Sequence, residues 1–173
     1  MLRVLFNSDA FKNSSFAKVK NPSEIVCGTL RVVGDFTEPK PRFYDPALEI
    51  RYMGQDLLNS PTVEGWHTGK EWIDSGTLVE RINFAADQLG NTGLQGVKDI
   101  VSRIESEKIT NPEGLVDRCL EMVGSYQLAD ETRGQLVEHA GKGGAVTPGT
   151  EEYSQCISEI LQLIVATQEY QFA

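Results

Sequence analysis

The sequence predicts an all-α fold, an irregular bundle of about seven helices interrupted by one long, packed Trp/Gly-rich loop. Three observations carry this expectation. Apolar residues recur at helical spacing through most of the chain. A capping residue followed by proline appears four times, at Asn21-Pro22, Asp45-Pro46, Asn111-Pro112 and Thr147-Pro148. The longest strand-like stretch, Leu30 to Val33, lies inside a helical pattern.

The first element is short. Leu2, Val4, Leu5 and Phe6, with Phe11 beyond them, form an apolar helix that starts in mid-pattern, as an opening cut into something longer would. Lys12 to Asn21 reads as a loop anchored by Phe16 and Val19. Asn21 then caps a helix whose Pro22 occupies the first turn, where its missing N–H costs nothing, and whose Ile25, Val26, Leu30 and Val33 share a face up to Gly34. Asp35 to Tyr44 carries Pro39 and Pro41 without a period, so it is a surface crossing. Asp45-Pro46 opens a helix with Leu48, Ile50, Met53, Leu57 and Leu58 on a broad apolar face, ending at Asn59-Ser60-Pro61.

Asn59 to Ser75 has no period, yet it holds Val63, Trp66, Trp72 and Ile73, too apolar for a solvated loop; it is expected to fold onto the body. Ser75 or Thr77 caps the next helix, with Glu80 completing a capping box and Gly90 ending it. Val97, Ile100, Val101 and Ile104 mark a further helix. Asn111-Pro112 opens another, running to Gly124, and a weaker one covers Asp130 to Ala140. Thr147-Pro148 opens the last and most apolar, with Cys156, Ile157, Ile160, Leu161 and Ile164 in one stripe, the expected centre of the bundle. Residues 141–149 include Gly141-Lys142-Gly143-Gly144, which lacks the preceding strand and the Gly-Lys-Ser/Thr of a phosphate-binding loop and reads as a flexible hinge.

At 173 residues the chain suits a single helical domain with a true core. A net charge of -9 speaks against nucleic acid as a partner, because phosphate binding needs clustered Lys and Arg. No run of apolar residues is long enough to span a membrane, and MLRVLFNSDAF has no signal-peptide cleavage site. Cys27, Cys119 and Cys156 are dispersed and odd in number, so they read as buried thiols rather than disulfides or metal ligands. His67 and His139 are isolated from any second ligand at metal-binding spacing; neither a metal nor a cofactor is expected.

The candidate site is the Trp loop and the helix after it. Trp66 and Trp72 form either an aromatic platform for a sugar or peptide, or a plug between two helices. Gly65 and Gly69 supply backbone angles closed to larger residues. Arg81 and Asn83, early in the helix, are placed to hydrogen-bond the loop's carbonyls. Glu64, Glu71 and Asp74, with His67 and Lys70 among them, are the candidate acid–base and binding groups; a catalytic carboxylate pair requires environments that drive two pKa values apart. No Gly-x-Ser-x-Gly elbow or Cys–His pairing points to a nucleophile.

These residues carry a resemblance. Gly54-Gln55-Asp56-Leu57-Leu58, Pro61, Val63, Gly65-Trp66, Gly69-Lys70, Trp72 and Arg81-Ile82-Asn83-Phe84-Ala85 follow the order and spacing of the bacterial domain of unknown function 1800 family. Lys20-Asn21-Pro22 and Ala166-Thr167-Gln168-Glu169-Tyr170-Gln171 resemble its Lys-x-Pro helix and its Ser-Pro-Glu-Phe-Gln ending. The chain departs at Ser60 and at His67-Thr68, where the family has Pro and Pro-Gly, so His67 is not a general family ligand. The resemblance implies the C-terminal part of a longer, exported (periplasmic or extracellular) protein. It also implies a gene-neighbour partner of alkaline-phosphatase type. The expected function is that of a non-catalytic helical structural or interaction module. Its partner would be another protein or the missing N-terminal part of the same one. The alternatives are a fragment of a hydrolase acting on a surface polymer, and carbohydrate binding through the Trp loop.

Overall fold

The structure, a computed structural model, describes every residue except 15, 125 and 143–146. Among the described residues there are nine α-helices, and β pairing is confined to two isolated bridges. The helices are α1 (Leu2–Asn7), α2 (Asp9–Lys12), α3 (Pro22–Val32), α4 (Asp45–Tyr52), α5 (Ser75–Gly90), α6 (Gln95–Glu107), α7 (Pro112–Val123), α8 (Asp130–Lys142) and α9 (Glu151–Ala166). Gly69–Trp72 and Glu169–Gln171 form 3-10 turns.

Local chemistry accounts for most of the helix starts. Asn21 and Glu24 form a reciprocal capping box at α3: the Asn21 carboxamide oxygen accepts from the Glu24 N–H at 2.9 Å, and the Glu24 carboxylate accepts from the Asn21 N–H at 2.8 Å. Pro46 sits in the first turn of α4 and Pro112 in that of α7. Tertiary packing supplies the rest. α9 buries Tyr153, Ile157, Ile160, Leu161, Ile164 and Val165 on one face and packs against α5, α6, α7 and α8. Burying one side chain of that size contributes about 1.5–3 kcal/mol. The propensity differences among ordinary residues stay below about 0.7 kcal/mol each, so burial decides where α9 lies.

Two groups of helices share one core. α3, α4 and α5 pack on one another, α6 to α9 form the other group, and the α5–α9 pair joins them. A second junction is a backbone approach: the Gly96 N–H at the start of α6 donates to the Val33 carbonyl at the end of α3 at 3.0 Å. A Cβ on Gly96 would lie 2.4 Å from the Val33 carbonyl carbon. Only glycine fits there.

Several helix boundaries and contacts differ from the sequence expectation. α4 ends at Tyr52, and Leu57 and Leu58 are exposed in the loop, because the chain turns at Gly54 with φ of +96°. The Met53 side chain is still buried, and the Gln55 carboxamide oxygen behind it accepts from the Ser23 N–H at 3.0 Å and the Ser23 hydroxyl at 2.7 Å. The cap of α5 is Asp74, with Thr77 as its third residue, so Glu80 lies beyond the capping turn. The cap of α9 is Thr150, three residues after the expected Thr147, since Gly149 at φ of +86° keeps the helix from beginning at Pro148. Cys119 is buried and Cys156 partly buried, but Cys27 is exposed on the outer face of α3. Gly141 and Lys142 of the expected hinge continue α8; residues 143–146 lie outside the described residues.

Candidate functional site

The loop between α4 and α5 divides into an outer and an inner half. In the outer half Thr62 pairs with Gly65 in a tight bridge, the Gly65 N–H donating to the Thr62 carbonyl at 3.1 Å. Leu58 and Val63 stand in solvent, at 99% and 106% of full exposure. The inner half is the 3-10 turn that carries Trp72, 6% exposed, into the body. Gly65 at φ of +106° and Gly69 at +59° take the left-handed angles for which sequence reasoning selected them.

Of the two indoles, only Trp72 is fully enclosed; Trp66 is half-buried, and its ring N–H is screened from solvent without an acceptor. Glu64, His67, Lys70 and Glu71 are all exposed. His67 approaches the Glu71 carboxylate at 3.6 Å and meets the Trp72 ring edge-on, 6.5 Å between centroids. Asp74 has a structural task. Its carboxylate accepts from the Gly76 N–H at 2.7 Å and the Thr77 N–H at 2.9 Å, while the Thr77 hydroxyl donates back to the Trp72 carbonyl at 3.1 Å. Those backbone hydrogen bonds hold the Asp74 carboxyl below its usual range, the opposite of what a proton donor requires.

Arg81 and Asn83 do not serve the loop. Asn83 lines a different hollow, of about 470 Å³, between α4 and α5, where Asp45, Glu49, Glu80 and Asp87 outnumber the cations Lys40 and Arg42, the latter paired with Asp45. Desolvation, followed by Glu80, Asp45 and Asp87, raises the Glu49 carboxyl. Among the described residues no group of His, Cys, Asp or Glu side chains is arranged to hold a metal ion.

Arg81 is fully buried and ties the two ends of the chain together. Its Nε donates to the Gln171 side-chain oxygen at 2.9 Å, and Nη2 donates to the Lys20 carbonyl at 2.5 Å. The Lys20 ammonium beside it donates to the Tyr126 hydroxyl and to the Tyr170 carbonyl, each at 2.8 Å, and lies over both rings. Tyr170 in turn shares a 2.8 Å hydrogen bond with Thr29 of α3. Around this node the C-terminal residues pair with the segment before α3: Lys18 and Ala173 exchange both backbone hydrogen bonds, and Lys20 donates to Gln171.

The node is cationic. Desolvation and the Arg81 charge lower Lys20 to about 8, with Glu24 pulling upward; desolvation also lowers Arg81, again opposed by Glu24. It is short of acceptors as well: the Arg81 Nη1 and the Gln171 amide nitrogen are buried and unpaired. Sequence reasoning found Arg81 but not its partners. The signal was present in the three motif stretches of the resemblance, around Lys20, Arg81 and Gln171, which meet at this one place.

A model of the family described as "Protein of unknown function (DUF1800)" matches residues 1–172. The chain belongs to that family. No curated protein and no solved structure matches it. This DUF1800 chain contains, among its described residues, no helix long and apolar enough to cross a membrane.

A second hollow, of about 490 Å³, lies between the Trp72 turn, α5, the end of α9 and the Val19–Phe172 bridge. Its walls are mainly apolar, with Lys70 and Gln171 among its few polar residues.

Proposed function

We propose that this chain is a non-catalytic helical module that works by protein contact within a larger, exported bacterial protein. The observation that carries this reading is the N-terminal arm. α1 and α2 bury no residue, and Leu2, Val4, Leu5, Phe6 and Phe11 are all exposed, as is Phe16 just after them. Monomeric proteins rarely leave so many large apolar side chains together in water, and such clusters mark interaction surfaces. The partner on this reading is another protein or a further part of the same polypeptide packed on the arm. Export is implied by the family resemblance. The Trp loop then acts as a folding device, with Trp72 as plug and Asp74 as cap.

The arm is tested by replacing Leu5 and Phe6 together with Ser. The melting temperature of the isolated chain is expected to stay unchanged, while binding of a hydrophobic dye falls. In a second arm of the test, expression together with the coding sequence upstream of Met1 in the gene is expected to slow hydrogen exchange over residues 2–12. A fall in melting temperature would mean that the arm belongs to the fold of this chain. Unprotected amides in the longer protein would remove the packing partner in cis.

A further inference from the structure

The apolar hollow beside the Trp72 turn has the character of a ligand site. Its wall comprises Val19, Ile73, Leu78, Ile82, Ala166 and Phe172, residues from five separate parts of the chain. A concave, mainly apolar surface with a few convergent polar groups is the usual form of a small-molecule site.

The polar groups state what the ligand must bring. Lys70 stands at the groove exposed, and among the described residues no carboxylate pairs with it. Gln171, 2% exposed, also lines the groove; its oxygen is held by Arg81, and among the described residues its buried amide nitrogen has no acceptor. Behind Gln171 stand the Arg81 and Lys20 cations, with the Glu24 carboxylate acting on both, and among the described residues no Asp or Glu lines the groove itself, although the chain as a whole carries a net charge of -9. The groove is therefore a local cationic, donor-rich spot in an acidic protein. A peptide would bring a backbone N–H and C=O with every residue, and besides Lys70 the groove offers them only Thr167, Gln168 and Gln171, so most of those groups would be buried without partners at a net cost. An alkyl chain ending in a single anionic acceptor has no such groups.

We infer that the groove between Lys70, Ile82 and Phe172 binds a small aliphatic carboxylate, with the alkyl chain on the apolar wall and the carboxylate at Lys70. The inference is independent of the arm formed by α1 and α2.

The test is calorimetric titration of the full chain with decanoate and, separately, with decanol, both below their aggregation concentrations. Decanoate is expected to bind about threefold to fivefold more tightly than decanol, the range of one partly exposed ion pair. Lys70→Gln is expected to bring decanoate down to the level of decanol. Ala166→Trp, at the exposed end of α9, is expected to abolish binding of both with unchanged circular dichroism. The proposal is overturned if neither compound binds, if decanol matches decanoate on the wild-type chain, if Lys70→Gln leaves decanoate binding intact, or if an uncharged blocked tri-leucine peptide binds more tightly than decanoate.

Discussion

The Arg81 guanidinium donates through Nε to the side-chain oxygen of Gln171, 90 residues away, at 2.9 Å, and both residues are buried. This bond and that to Lys20 place one side chain of α5 between the beginning and the end of the described fold. A buried guanidinium is costly to desolvate; among the described residues Arg81 hydrogen-bonds no carboxylate, Glu24 acts on it only through its charge, and the bonds to Gln171 and Lys20 are what hold it.

The first prediction concerns that bond. Gln171→Leu leaves the Arg81 Nε without an acceptor, and a buried unsatisfied charged donor costs about 2–3 kcal/mol. Arg81→Met removes the charge while keeping volume, but orphans the Lys20 carbonyl and the Gln171 oxygen. In urea unfolding the double variant Arg81→Met/Gln171→Leu is expected to cost at least about 1 kcal/mol less than the sum of the two singles. Strict additivity would show that the two side chains are not coupled.

A pair of glycines predicts opposite signs. Gly96→Ala drives a methyl group into the Val33 backbone, with contacts of 2.4 and 2.6 Å, and is expected to destabilise by about 2–3 kcal/mol through overpacking. Gly134, within α8, has open space where its Cβ would be. There the gain in helix propensity governs, and Gly134→Ala is expected to stabilise by about 0.5–1 kcal/mol. Thermal melts of the two variants read both signs.

Lys20 should leave a signature in the pH dependence of stability. Its folded pKa, about 8, lies below the ordinary 10.5, so between these values the unfolded chain binds more protons than the folded one. Stability contributed by this group therefore rises with pH from about 8 towards 10.5. Tyr126 and Tyr170 are shifted upward by burial and act in the opposite direction only above pH 10. Between pH 8 and 10 the wild-type chain is expected to gain on the order of 1 kcal/mol relative to Lys20→Met. Parallel stability curves for the two proteins over that window would refute the assignment.

Glu49 predicts a substitution that stabilises. Its carboxyl is raised by desolvation, then by Glu80, Asp45 and Asp87, so in the folded chain its ionised form is disfavoured and stability falls as pH rises through its titration. Glu49→Gln removes the repulsion, which solvent partly screens, and is expected to raise the melting temperature slightly at pH 7, with no gain near pH 3, where the carboxylates are protonated. A melting temperature unchanged at both pH values would show that solvent screens the cluster completely.

What the sequence determined by itself was local. Helical periodicity, the Asn21 capping box and the first-turn prolines Pro22 and Pro112 located the helices, because capping, proline geometry and hydrophobic spacing act within a few residues of one another; Asn111 itself makes no side-chain cap hydrogen bond. Gly65 and Gly69 were legible as turn formers for the same reason. The boundaries that moved are those where a neighbouring group outcompeted the expected one: Asp74 over Ser75 at α5, Thr150 over Thr147 at α9, and the turn at Gly54 over the apolar pattern that runs on to Leu58. The tertiary structure alone decided what the polar residues do. The motif around Arg81 showed a cation next to the Trp loop; which way its side chain turned depended on Lys20 and Gln171, brought beside it by the packing of α5 on α3 and α9. A buried charge is placed by the partners that satisfy it, and those partners come from parts of the chain whose proximity no local pattern encodes.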